Sequence, residues 1–159
     1  MLPANQPSID YNLKVKPEKF QSLEDARCFL LKQVKEWDNS QNKPIPENSG
    51  VVRLEASLES ANPLEWLTLQ DCPQKIYWEN RSQKEQFAVI GTALEIADGK
   101  DGYENILQVI SKILQDSPET VRFYGGMRFD SKASISPEWE TWGTAYFTLP
   151  LVELSIIEE

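Results

Sequence analysis

The sequence predicts an α+β domain: a largely antiparallel sheet with helices inserted. Three observations lead there. "GVVRLEASLE", residues 50–59, alternates apolar and polar positions, as a strand with one wet face does in antiparallel sheets. Strand-like stretches at 75–79, 86–96, 123–129 and 143–157 outnumber the helical ones and do not alternate with them one for one, which argues against a βαβ repeat. With 159 residues, 40% hydrophobic and 26% charged, the chain can bury one real core.

Taken in order, residues 1–18 carry Pro3, Pro7 and Pro17 and read as a loose N-terminal arm, leaving 19–159 as the domain. Ser22 with Asp25 resembles a capping box. Behind it Leu23, Ala26, Phe29, Leu30, Val34 and Trp37 recur at helical spacing. "DNSQNKPIPENSG", 38–50, is dense in turn residues and predicts a loop. After the 50–59 strand, Asn62 and Pro63 supply an N-cap and a first helical residue, so a short helix should turn Leu64 and Leu67 inward.

"KIYWE", 75–79, and "QFAVIGTALEI", 86–96, read as strands around the turn "NRSQ". The second is apolar on both faces, the mark of a buried central strand. The segment Tyr103–Gln115 places Ile106, Leu107, Ile110 and Leu114 on one helical stripe, and Pro118 helps to end it. "VRFYGGMRFD" predicts a strand around Gly125 and Gly126. In "GTAYFTLPLVELSII", Pro150 requires an edge or a bulge.

Composition excludes more than it suggests. The formal net charge of −9 disfavours broad binding to nucleic acid. Without a single histidine, Ser-His-Asp and Cys-His catalysis and histidine-based zinc sites are out. Cys28 and Cys72 lack CxxC spacing, and Cys28 falls on an apolar helix face where packing explains it. No stretch resembles a signal peptide or is long enough to span a bilayer, so a cytoplasmic location is expected.

Each chemical motif has a plainer competitor. Gly125 and Gly126 continue into Met-Arg-Phe-Asp, so they form neither a Walker loop nor a dinucleotide fingerprint. A bulge, or a crossing beneath a bulky neighbour, explains them better than contact with a ligand. Tyr77 and Trp78 must face opposite sides of a strand, and Trp78, like Trp37 and Trp66, falls at an apolar position expected in the core. Glu79 and Arg81 should be solvated. Glu55 and Glu59 lie on an outer strand face, and Glu138 and Glu140 flank Trp139; paired acid–base catalysis would need one of them buried enough to raise its pKa, and nothing in the pattern demands that. No catalytic, cofactor-binding or metal-ligating residue is assigned.

Three stretches together carry a resemblance. "NPLEWLTLQDCPQKIYWENRSQKEQFAVIGTA" is similar to a segment in which a PLxWL helix precedes a YWxxR strand and an AxxGxA strand. "RFYGGMRFD" is similar to a GGxxF strand, and "EWETWGTAYFTLPLVEL" to a following strand with FxLPxxxL. In this order, over residues 62–155, they resemble the N-terminal region of the chorismate-utilising enzymes: isochorismate, salicylate, anthranilate and aminodeoxychorismate synthases. The YWxxR and GGxRFD elements are most similar to the isochorismate synthase branch.

The resemblance implies an isomerase that converts chorismate to isochorismate for quinone (menaquinone, phylloquinone) or siderophore biosynthesis. It implies a magnesium ion held by glutamates, a lysine that activates water and a glutamate general acid, all in a C-terminal half without counterpart here. The chain is thus expected to be an inactive N-terminal fragment whose partner is its own C-terminal half, with no glutaminase subunit, nucleic acid or membrane partner. The alternative within the family is the N-terminal domain of an anthranilate, aminodeoxychorismate or salicylate synthase; "SLESAN", 57–62, is faintly similar to the LLES inhibitor-binding stretch of anthranilate synthase. A self-sufficient, non-catalytic binding module is the alternative from another class.

Overall fold

The computed structural model describes residues 19–40, 51–98, 103–130, 134 and 136–158. The arm predicted at 1–18 and most of the loop predicted at 38–50 lie outside them. The chain divides into two compact units, the first holding the described residues up to Glu59 together with 116–121, the second holding the rest.

In the first unit, β1 (Lys19–Phe20) pairs in parallel with β2 (Ser57–Leu58), and α1 runs from Leu23 to Ser40. The predicted cap is present. Asp25 N–H donates to the Ser22 hydroxyl (3.1 Å), which donates in turn to the Asp25 carboxylate (2.7 Å). Ala26 is buried and Phe29 sets its ring 5.1 Å from that of Phe20. The predicted stripe is only partly used, since Leu23 and Val34 are exposed. Cys28 is exposed too, its Sγ turned to the Glu24 carboxylate, which corrects its assignment to packing. The helix outlasts its predicted end at Trp37 because no proline or glycine intervenes before Pro44.

The strand expected at 50–59 shrinks to Ser57–Leu58. Leu54, Ala56 and Leu58 are still less exposed than Glu55, Ser57 and Glu59, so the alternation is real. Alternation decides which side is buried; a ladder also requires a partner backbone, and among the described residues only β1 provides one.

Among its described residues the second unit holds an antiparallel sheet of order β3-β4-β6-β5, formed by β3 (Lys75–Glu79), β4 (Glu85–Asp98), β5 (Tyr124–Met127) and β6 (Ala145–Ile157). Short α2 (Pro63–Thr68) precedes it, with the Asn62 side chain accepting from Glu65 N–H at 3.1 Å. Pro63 and Leu67 are buried as the sequence predicts or allows, but Leu64 points outward. The β3–β4 turn closes on Asn80, whose N–H donates to Glu85 O (3.0 Å) and whose carbonyl accepts from Gln83 N–H.

The centre of β4 is buried on both faces, with Phe87, Ala88 and Val89 all at 5% exposure or less. Helix α3 (Tyr103–Gln115) lays Ile106 and Ile110 on Ala145, with Ile96, Phe123 and Phe147 around them. Its buried stripe is narrower than predicted, leaving Leu107 and Leu114 exposed. Pro150 lies past the end of β5, where among the described residues β6 pairs with β4 alone, so it holds an edge position as predicted; a bulge also sits beside it, since the register slips between Thr92, its partner, and Leu94 of β4. Gly91, next to this slip, takes φ +65°, a conformation that favours glycine.

Candidate functional site

The adjacent glycines of β5 have opposite surroundings. Gly125 pairs with Phe147 and Gly126 with Tyr146 in an unbroken register, so β5 holds no bulge. A Cβ at Gly125 would strike the main chain of Tyr146 and stand 2.7 Å from Phe147 Cα. A Cβ at Gly126 would meet nothing within 4 Å. The expected close crossing therefore belongs to Gly125 alone, and what crosses there is backbone, not a bulky side chain.

The open space beside Gly126 belongs to a groove of about 320 Å³. Met127, Arg128, Trp139, Trp142 and Tyr146 also line it. Trp139 and Trp142 come from a 3₁₀ helix, Pro137–Trp142, which starts on a proline with φ already set for a helix. Trp142 meets the Tyr146 ring edge-on at 5.0 Å. Arg128 donates to the Ser134 carbonyl at 3.2 Å.

Behind the groove a chain of polar side chains holds Tyr146. Its hydroxyl donates to Glu95 (3.0 Å) and accepts from the Gln74 amide (3.1 Å). The Gln74 carbonyl accepts from the Thr92 hydroxyl, which accepts from Thr148 (3.2 Å). Burial, and then the bond to Glu95, raise the Tyr146 pKa above its usual value. Tyr77 is also raised, chiefly because its hydroxyl donates to Glu79 (2.6 Å). Both shifts hold the phenols protonated, the reverse of what a general base near neutral pH needs.

A second cluster joins β4, β5 and β6. The Glu153 carboxylate, only 3% exposed, takes a 2.7 Å hydrogen bond from Tyr124 and a 3.3 Å contact from Arg122. The Arg122 guanidinium lies 4.7 Å from the centre of the Phe87 ring, which also touches Tyr124 and Trp78. Trp78 is half-exposed over Phe87, a correction to its expected place in the core: its strand is an edge, and no further strand covers it among the described residues. Glu79 is likewise engaged by Tyr77 instead of being merely solvated.

Glu55, Glu59, Glu138 and Glu140 are exposed, as expected of solvated carboxylates. Among the described residues no group of three His, Cys, Asp or Glu side chains could hold a metal ion. The magnesium implied by the resemblance thus does not fit them. Sequence reasoning missed the Gln74–Tyr146–Glu95 chain, whose members lie up to 72 residues apart and carry no local signal. The geometry describes a braced sheet with an aromatic groove. No described helix is long and apolar enough to cross a membrane.

Residues 33–159 match a family model described as chorismate binding enzyme. Over 134 residues the chain is 30% identical to isochorismate synthase 2, chloroplastic, of Arabidopsis thaliana, a match covering 70% of this chain and 24% of that protein. Over 144 residues it is 27% identical to isochorismate synthase, chloroplastic, of Catharanthus roseus, covering 66% and 25%. The chain spans about a quarter of the length of these relatives.

Proposed function

The chain belongs to the chorismate-binding enzyme family, and from that premise we propose that it is the N-terminal part of an isochorismate synthase, the piece that builds and braces the sheet rather than the piece that reacts. The observation that carries this reading is the 30% identity over 134 residues to a plant isochorismate synthase, inside a family match that reaches residue 159. The braced α+β architecture fits the N-terminal portion of the chorismate-utilising fold, with residues 19–159 as one functional region.

In the proposed reaction, a water gives its hydroxyl to one ring carbon of chorismate and loses a proton, while the hydroxyl on another carbon takes up a proton and leaves as water, so one water enters, one departs, and the net change is an isomerisation. Magnesium and its glutamates belong, in this reading, to the portion outside this chain, and no step runs through the described residues. What they contribute is shape: Tyr146 held by Glu95 and Gln74, and Glu153 held by Arg122 and Tyr124, lock three strands together. A cytoplasmic location, and a product feeding quinone or siderophore synthesis, complete the proposal.

The test compares this polypeptide with the longer protein that would contain it. Each is incubated with chorismate and magnesium, with and without glutamine, and products are separated by chromatography. Isochorismate from the longer protein only is the expected result. Turnover by the 159-residue chain alone would refute the scaffold role, and glutamine-dependent aminated product would move the protein to the aminating branch.

A further inference from the structure

Side chains from β4, β6 and the approach to β3 form one hydrogen-bonded chain whose donors all point the same way. The Thr148 hydroxyl donates to Thr92 (3.2 Å), and Thr92 donates to the Gln74 side-chain carbonyl. The Gln74 amide donates to the Tyr146 hydroxyl (3.1 Å), which donates to the Glu95 carboxylate (3.0 Å).

The direction is imposed from one end. An ionised carboxylate only accepts, so Tyr146 must aim its single proton at Glu95. The Tyr146 oxygen then faces Gln74 as an acceptor, and only the NH₂ end of that amide satisfies it. The amide carbonyl is thereby turned to Thr92, whose hydroxyl must donate to it and accept from Thr148. Glu95 is exposed, whereas Thr148 at the far end is 1% exposed. The charge that orders the chain sits at the surface, and what it orders is buried.

Gln74 ties this chain to two other features. Its main-chain carbonyl accepts from Gly91 N–H (3.2 Å), beside the register slip of β4. Its amide holds Tyr146, whose ring lines the groove.

We propose that Glu95 is a positioning residue: its negative charge selects one of two directions for this chain and so fixes the Gln74 amide and the Tyr146 hydroxyl in a single arrangement behind the groove. A neutral amide at position 95 satisfies both directions. It can accept from Tyr146 as Glu95 does. It can also donate to Tyr146, which then donates to the Gln74 carbonyl, with the Gln74 amide donating to Thr92 and Thr92 to Thr148. The inference is independent of the reaction and of any longer protein, because every member lies in this chain.

Glu95→Gln in the isotope-labelled 159-residue chain tests the selection. The Gln74 side-chain amide signals in the nitrogen–proton NMR spectrum should double or move to an averaged position. Glu95→Asp keeps an acceptor-only carboxylate and should retain a single set. In a Tyr146→Phe background, where the link is cut, Glu95→Gln should leave the Gln74 signals where Tyr146→Phe alone puts them. Gln74 signals unmoved by Glu95→Gln would overturn the proposal, as would doubling in Glu95→Asp. An equal displacement with and without the Tyr146 hydroxyl would also overturn it, since Glu95 would then act through space and not along the chain.

Discussion

Gly125 is pressed against the main chain of Tyr146: a side chain there would bring its Cβ 2.9 Å from the Tyr146 carbonyl carbon and 2.7 Å from Phe147 Cα. Gly126, one residue on, faces open space. Two identical residues in sequence therefore carry unequal constraints.

Gly125→Ala should destabilise the fold by about 2 kcal/mol or more, because backbone must move to admit the methyl group. Gly126→Ala should stay within about 0.5 kcal/mol of the parent. Urea denaturation midpoints compare the two directly. Equal losses at both positions would contradict the close approach.

The Arg122–Glu153 pair should be asymmetric. Arg122→Met removes the guanidinium beside a carboxylate that is 3% exposed, leaving its charge uncompensated by that cation although the Tyr124 hydrogen bond remains, and should cost about 3 kcal/mol. Glu153→Gln leaves a guanidinium that is 32% exposed and can rehydrate, so its cost should be nearer 1 kcal/mol. In the double variant, a loss well below the sum of the two would demonstrate their coupling.

Tyr146 and Tyr77 both have raised pKa values in the folded state. A raised phenol binds its proton more tightly when folded. Its contribution to stability is therefore complete below the ordinary tyrosine range near 10 and is lost as pH climbs through the folded value. Alkaline titration should show Tyr146 and Tyr77 among the late-ionising tyrosines by ultraviolet absorbance. Tyr146→Phe should remove one of them and shrink the drop in stability above pH 10, and an unchanged titration curve would count against the Glu95 bond.

Asn62→Ala should cost about 1 kcal/mol by leaving the Glu65 N–H without its cap. Asn62→Asp should retain most of that stability. Thermal melts of the two variants give the comparison, and a harmless Asn62→Ala would mean that packing of Pro63 and Leu67, not the cap, holds α2.

Local signals settled much of the fold. Asn62 and Pro63 start α2, Ser22 starts α1, and the turn around Asn80 separates β3 from β4, because capping and turn chemistry act within a few residues. The order of the PLxWL, YWxxR and GGxRFD elements was enough to indicate the family that the match over 33–159 establishes. What the sequence could not yield was anything set by partners distant along the chain. The alternation at 50–59 could not show that, among the described residues, Ser57 and Leu58 are the ones that find a ladder. Trp78 looked like core until its strand proved to be an edge. Gly125 and Gly126 could not be told apart without the backbone of Tyr146 beside one of them, and the bracing of Tyr146 by Gln74 and Glu95 exists only where three strands meet. Periodicity and caps are short-range properties that a chain writes directly. Register, edges and close approaches depend on which strands become neighbours, and only the assembled sheet decides that.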